Sequence, residues 1–352
     1  MTMQLCTHTP ILDRVVGDGL NNQGVYGILG PTGVGKTHLA MMITVNSATM
    51  GDPFSEPMPS SKRWVLFDVE SPGQTSWIRA MSHAAKIKRD SFTTGLRDNI
   101  VGRPTWYENE RDDIPTVNCE KVSERTRFEV VAQHLNSVFC LYSPECLTAE
   151  TEKYHNSAAS GGFDDTRSSI NLTSWIDKLL CGNSKDGQLG GIVIDSVSHL
   201  CQLAESSKKQ KWWLEKFVGV ECRKWSKQFR CPVWVVNQLS GKACSYSTTT
   251  VQLPRDSARH KDFINDVDAC LVLGTRCPNS DVFSIYSCRP REDKNLIPVS
   301  VKFDPNFATI VEARGLKRDR ETQLWIQDDI TFDIDVATEQ YIELLNERFK
   351  IA

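Results

Sequence analysis

Eight consecutive residues, Gly30-Pro31-Thr32-Gly33-Val34-Gly35-Lys36-Thr37, constrain this chain more than any other stretch. They fit G-x-x-x-x-G-K-[ST], the signature of a backbone loop that cradles phosphates. The flanks suit it. Gly24 to Leu29 (GVYGIL) has the character of a short apolar strand, and His38 to Val45 (HLAMMITV) that of the helix that follows. Glycines at 30, 33 and 35 let the backbone curl so that successive N–H groups converge on one anion. A helix starting near Lys36 adds the positive end of its dipole. The Lys36 ammonium is placed to reach the β- and γ-phosphates, and the Thr37 hydroxyl to ligate Mg²⁺. The expected nucleotide contacts are therefore Gly30, Pro31, Thr32, Gly33, Val34, Gly35, Lys36, Thr37 and His38, with ATP and Mg²⁺ as the ligands.

Composition narrows the rest. The net charge is only −3, so the chain as a whole is no polycation, and any contact with nucleic acid must come from local basic patches. Hydrophobic residues make up 40% of the 352, enough for a sizeable core in one large domain or two smaller ones. The 12 cysteines are scattered without a C-x-x-C pair, which points to buried, reduced thiols and away from a zinc site or a disulfide framework. The first residues lack a charged start followed by an apolar core, and no apolar run approaches bilayer length. A cytoplasmic protein with no membrane partner is the expectation.

Taken in order, residues 1–22 form a lead-in and the phosphate loop follows. Residues 51–63 are Pro- and Ser-rich, as in a surface loop. Trp64 to Val69 is a strong strand with Glu70 just past its end, and Gln74 to Ile87 is helical. Residues 88–136 suggest a helical insertion with loops, and Val138 to Tyr142 a strand. Residues 143–170 have almost no apolar pattern, which suits a long loop or a segment that meets a protein partner. A helix from Asn171 to Leu180 leads to the strand Ile192 to Asp195. An amphipathic helix spans Lys211 to Phe229, and Cys231 to Asn237 is a strand with Gln238 at its end. Further strands are expected at Ala269 to Gly274, Val282 to Ser287, Val299 to Asp304 and Thr309 to Glu312, then a tail over 313–352 with a short helix from Ala337 to Phe349. Strand–helix alternation followed by closely spaced strands predicts an α/β fold: a mostly parallel central sheet flanked by helices, with antiparallel strands added at its C-terminal edge.

A hydrolysing site needs a second carboxylate on the Mg²⁺ side, on a strand next to the loop. Asp195, closing Ile192-Val193-Ile194-Asp195, is the candidate metal ligand beside Thr37. The residue after it is Ser196, so a water-activating carboxylate must come from elsewhere. Glu70 ends the Phe67-Asp68-Val69-Glu70 strand, where open α/β sheets place their ligands, with Asp68 as the fallback. A strand ending F-D-x-E, an Asp-Ser pair after an apolar strand and a strand ending Asn237-Gln238 together resemble the RecA-like ATPase superfamily over residues 23–312. The similarity is greatest to RepA- and DnaB-type hexameric helicases, with KaiC-like and recombinase members behind.

That resemblance implies a γ-phosphate-sensing role for Gln238 and a homo-oligomer, a hexameric ring or filament, whose site is completed by a basic residue from the neighbouring subunit. Arg289 and Arg291, with Lys294 close by, match the spacing of that residue. The motifs themselves supply no cation near the loop beyond Lys36, which makes such a donor necessary. The resemblance also implies single-stranded nucleic-acid binding by the segments after Asp195 and Gln238. The first carries Lys208, Lys209, Lys211, Trp212 and Trp213. The second, 239–262, carries Lys242, Tyr246, Arg255, Arg259 and Lys261, suited to phosphate contact and base stacking. Two functions remain open: a hexameric nucleic-acid motor, or an ATP-switched assembly protein that acts on protein partners without translocation.

Overall fold

The computed structural model describes residues 7–9, 12, 21–54, 61–94, 115–117, 122–144, 167–204, 210–239, 263–274, 282–288, 299–312, 316–318 and 325–327. The chain enters through β1 (Val25–Gly30), the phosphate loop and α1 (Lys36–Ala48). β2 (Trp64–Asp68) and α2 (Gly73–Ala85) follow. The region expected to be a helical insertion holds an antiparallel ribbon of β3 (Phe92–Thr94) and β4 (Pro115–Val117), then α3 (Val122–Val138) running into β5 (Phe139–Tyr142). α4 (Arg167–Asn183) starts earlier than its apolar spacing suggests. β6 (Gly191–Asp195) and α5 (Val197–Ala204) come next.

The helix expected over Lys211 to Phe229 is broken in register. α6 (Gln210–Lys216) passes through a π-helical turn, Phe217–Cys222, into α7 (Arg223–Phe229). Inside that turn Gly219 faces Asp266, whose Oδ1 would lie 2.9 Å from a Cβ there. Then come β7 (Val233–Gln238), α8 (Phe263–Asp266), β8 (Ala269–Leu273), β9 (Val282–Cys288), β10 (Val299–Asp304) and β11 (Thr309–Glu312). A separate ribbon of β12 (Leu316–Arg318) and β13 (Trp325–Gln327) lies in the tail. The expected helix at 337–349 lies outside the described residues.

One nine-stranded sheet has the order β11-β10-β9-β8-β1-β7-β6-β2-β5. From β8 to β5 every neighbouring pair is parallel, and β9, β10 and β11 extend the edge antiparallel. The parallel strands are apolar along their length because both faces are covered, as parallel sheets require. On one face Leu39, Met41, Trp77, Met81 and Leu135 of α1, α2 and α3 form a core that continues under β9 to β11 through Phe283, Val301 and Ile310. On the other, Trp175, Leu200, Leu214, Phe217 and Trp225 pack on Val25, Phe67, Ile194 and Val235.

Register brings the candidate groups to one edge. Gly30, where the phosphate loop begins, lies beside Gln238, and Asp68 lies beside Asp195. One expectation fails here. β6, which carries Asp195, is not the neighbour of β1, because β7 runs between them. An acidic strand end one place removed still converges on the loop, since all these strands end on the same edge.

Candidate nucleotide site

The loop has the geometry its glycines permit. Gly33 and Gly35 take φ of 79° and 113°, in the left-handed region where a Cβ is strained. Gly35 is the residue preceding α1, and no side chain caps the helix start. The first N–H groups of α1 are thus left for an anion. Lys36 is 7% exposed, and its Nζ donates to the Pro31 carbonyl at 2.7 Å, bent across the loop. Thr32 and Gly33 are exposed at the tip, whereas Pro31, Val34 and Gly35 are buried. The His38 ring packs edge-on against Phe303 of β10, with centroids 4.5 Å apart.

Asp195 is 1% exposed, and neither carboxylate oxygen has a hydrogen-bond partner at bonding geometry. Burial pushes its carboxyl well up, the charges of Asp68 and Glu70 add to the rise, and the nearby Thr37 hydroxyl and Lys36 ammonium oppose it. Two orphaned oxygens deep in the protein, next to the Thr37 hydroxyl, are what a hard cation would satisfy. The residues present therefore fit Mg²⁺, which would be held by Thr37 and Asp195.

The turn after β2 is built by Asp68. Its Oδ1 accepts the N–H groups of Glu70 (3.1 Å) and Ser71 (3.0 Å), and its Oδ2 accepts the Ser76 hydroxyl. Arg79 donates to Ser71 Oγ at 2.6 Å and lies 4.0 Å from Asp68. Asp68 is fully buried and accepts three donors at this turn. Glu70, projected from that turn, concentrates three neighbours on Oε1: Ser196 Oγ at 2.6 Å, His199 Nδ1 at 2.7 Å and Gln238 Nε2 at 3.2 Å. Partial burial works against its charge. The hydrogen bonds of His199 and Ser196, with the charges of His199 and Lys36, prevail and hold the carboxyl at about 2.

The structure thus brings together Lys36, Thr37, Asp195, Glu70 and Gln238. Arg289, Arg291 and Lys294, the segment 240–262 and most of 143–170 lie outside the described residues. Trp213 is a core residue stacked on Phe217 at 4.5 Å, which removes it from the stacking candidates. Beyond the Lys36 that the motifs supply, two further basic side chains, Arg79 and His199, lie close enough to Glu70 for their charges to act on it. Neither belongs to a motif. A trace existed for His199, which sits one helical turn beyond Asp195.

A phosphate loop at the carboxyl edge of a parallel sheet, with carboxylates from two further strands and a glutamine beside it, defines a P-loop nucleotide-binding α/β chain. Solved structures place it further. A DnaB-like replicative helicase, described with its interactions with primase, is 13% identical, with a TM-score of 0.57 over 88% of this chain and 61% of that one. A separately solved ATPase domain is also 13% identical, with a TM-score of 0.54 over 88% and 90%. A KaiC-like protein, PH0186 of the hyperthermophilic archaeon Pyrococcus horikoshii OT3, is 12% identical, with a TM-score of 0.51 over 89% and 100%. The chain has the RecA-like fold of these P-loop ATPases. No protein-family profile and no curated protein sequence matches it. Among the described residues, no helix is long and apolar enough to cross a membrane.

Proposed function

We propose that the chain is a Mg²⁺-dependent ATPase that works as an oligomer and acts on single-stranded nucleic acid. The observation that carries the hydrolase reading is the convergence of Lys36, Thr37, Asp195 and Glu70 at one sheet edge, close enough for their charges to shift one another. The loop N–H groups and Lys36 bind the β- and γ-phosphates. Mg²⁺, held by Thr37 and Asp195, would supply charge neutralisation on the phosphate oxygens. Glu70 is ionised and its Oε2 accepts nothing among the described residues, so it can take a water. Its low pKa suits it to orienting that water more than to an early proton removal. Gln238 touches both Glu70 and the start of the phosphate loop, a place from which the state of the γ-phosphate can reach the carboxylate.

The nucleic-acid half is supported by the basic and aromatic content of 239–262 and by the fold shared with a DnaB-like helicase. A net charge of −3 and the fold shared with a KaiC-like protein favour the second reading, an ATP-switched assembly protein that acts on protein partners. ATP hydrolysis with and without single-stranded DNA and RNA oligonucleotides separates them: stimulation supports the motor, and its absence supports the switch. For the hydrolase itself, Glu70→Gln should still bind ATP but turn over slower by about 10²-fold or more, the scale of a lost general base. Normal turnover in that variant would remove Glu70 from the mechanism.

A further inference from the structure

Ser196 and His199 lie where α5 leaves β6, and the site as proposed requires neither. Ser196 is fully buried, and the His199 side chain is 39% exposed. His199 Nδ1 lies 2.7 Å from Glu70 Oε1 and 2.9 Å from Ser196 Oγ. A hydrogen inventory fixes who donates. An ionised carboxylate only accepts, so the hydrogen between it and the imidazole sits on Nδ1. Ser196 has one hydroxyl hydrogen and gives it to Oε1, so its oxygen is an acceptor for the same ring N–H. One Nδ1–H is therefore shared by Glu70 and Ser196, and the shared bond sets the tautomer and the plane of the ring.

Serine, histidine and glutamate together also make acyl-transfer triads. There the serine and the carboxylate bind opposite ring nitrogens. Here both meet Nδ1, and the serine hydrogen already points at the carboxylate, so Ser196 is not an activated nucleophile.

We infer that His199 is a positioning residue for Glu70: it anchors Oε1 to α5 and leaves Oε2 as the oxygen that meets the attacking water. The inference rests on the ATPase reading above. It ties the hydrolytic carboxylate to two elements at once, α5 through His199 and β7 through Gln238, both on the same oxygen. Removing His199 takes away one of the three donors on Oε1 and the tie to α5, leaving Ser196 and Gln238, so Glu70 is held less firmly and the loss belongs in kcat and not in nucleotide binding.

The test is steady-state ATP hydrolysis by the full chain as wild type, Glu70→Gln, His199→Ala, His199→Asn and His199→Gln, with ATP affinity from calorimetry. Asparagine places an amide N–H near the position of Nδ1, and glutamine places it a bond farther out. His199→Ala should lower kcat by about 10- to 10²-fold, the scale of a misplaced reacting group, with KM and ATP affinity unchanged. His199→Asn should recover most of that loss and His199→Gln little of it. In the Glu70→Gln background His199→Ala should cost nothing more. If His199→Ala does not fold, the contrast between Asn and Gln carries the same test. Unchanged kcat in His199→Ala, a loss confined to KM, or an Asn variant as slow as Gln overturns the positioning role. Normal turnover by Glu70→Gln removes Glu70 from the mechanism and this inference with it, and a wild-type chain that hydrolyses no ATP overturns the hydrolase reading; a slow Glu70→Gln beside an unimpaired His199→Ala overturns this inference alone.

Discussion

His83 links three elements through one neutral ring. Its Nε2 is 2.8 Å from Asn46 Oδ1 on α1, and its Nδ1 is 2.9 Å from Thr309 Oγ1 on β11. The amide oxygen only accepts, so Nε2 carries the hydrogen and Nδ1 accepts from the threonine. Burial, and secondarily the charge of Lys86, pushes the ring from 6.5 down to about 3. Between those values the unfolded chain takes up a proton that the folded chain refuses. Stability from this residue is complete above pH 6.5 and is lost as pH falls toward 3, at about 1.4 kcal/mol per pH unit. Chemical denaturation at pH 7 and pH 5 should therefore show a drop that is smaller by about 2 kcal/mol in His83→Asn, whatever other groups contribute to both. Equal drops would mean that the ring titrates normally. None of this was readable beforehand, since a histidine inside Ala80 to Ala85 carries no sign of partners 37 and 226 positions away. Lys36 and Thr37 were legible because their loop is contiguous, and Asp195 and Glu70 because strand ends mark the ligand edge of a parallel sheet. Arg79 reaches the site only through tertiary contacts, so spacing could not reveal it, and the spacing of His199 from Asp195 was the one trace it left.

The turn between β2 and α2 does for Glu70 what the glycines do for the phosphate loop. Asp68 holds two backbone N–H groups and a hydroxyl, and this lacing sets the direction in which Glu70 leaves the sheet. Asp68→Asn keeps an acceptor for both N–H groups and leaves Ser76 able to accept, so it should fold with near wild-type stability and hydrolyse ATP. Asp68→Ala orphans buried donors and should cost about 2 kcal/mol or more on denaturation, with a loss of turnover from the freed turn. An Asn variant that is stable but inactive would make the case for Asp68 as the base. Elements with a long apolar period or a β-branched run were legible; local irregularities were not. The π-helical turn at Phe217–Cys222 keeps Phe217, Val218 and Cys222 on the core face, so the apolar spacing still passes for a regular helix. The ribbons β3–β4 and β12–β13 are three-residue strands, too short for any period to show. The place of β7 between β1 and β6 is a matter of topology that no local pattern encodes.

Among the described residues, one component that the chemistry asks for is missing. Negative charge that develops on the γ-phosphoryl oxygens needs a cation beyond Lys36, and such a group is worth about 10³-fold or more in rate. Arg79 is a guanidinium acting on these carboxylates, and it is spent on Ser71 and Asp68 at the β2–α2 turn. His199 is occupied by Glu70 and Ser196. The cation is then best supplied from outside, and Arg289 and Arg291, which fall between β9 and β10 in the sequence, are the proposed donors to a neighbouring copy's site. The ATPase rate per subunit should accordingly rise with protein concentration in step with assembly, followed by light scattering or mass photometry. Arg291→Ala should bind ATP and hydrolyse almost none. Lys36→Ala should fail to bind ATP tightly, because it removes the charge that meets the β- and γ-phosphates. Mixed together, the two inactive variants should regain part of the wild-type rate, since an intact phosphate loop from one meets an intact arginine from the other at a fraction of the interfaces. A protein that stays monomeric at full activity, or a mixture that co-assembles yet remains inactive, would show that the cation acts within its own chain.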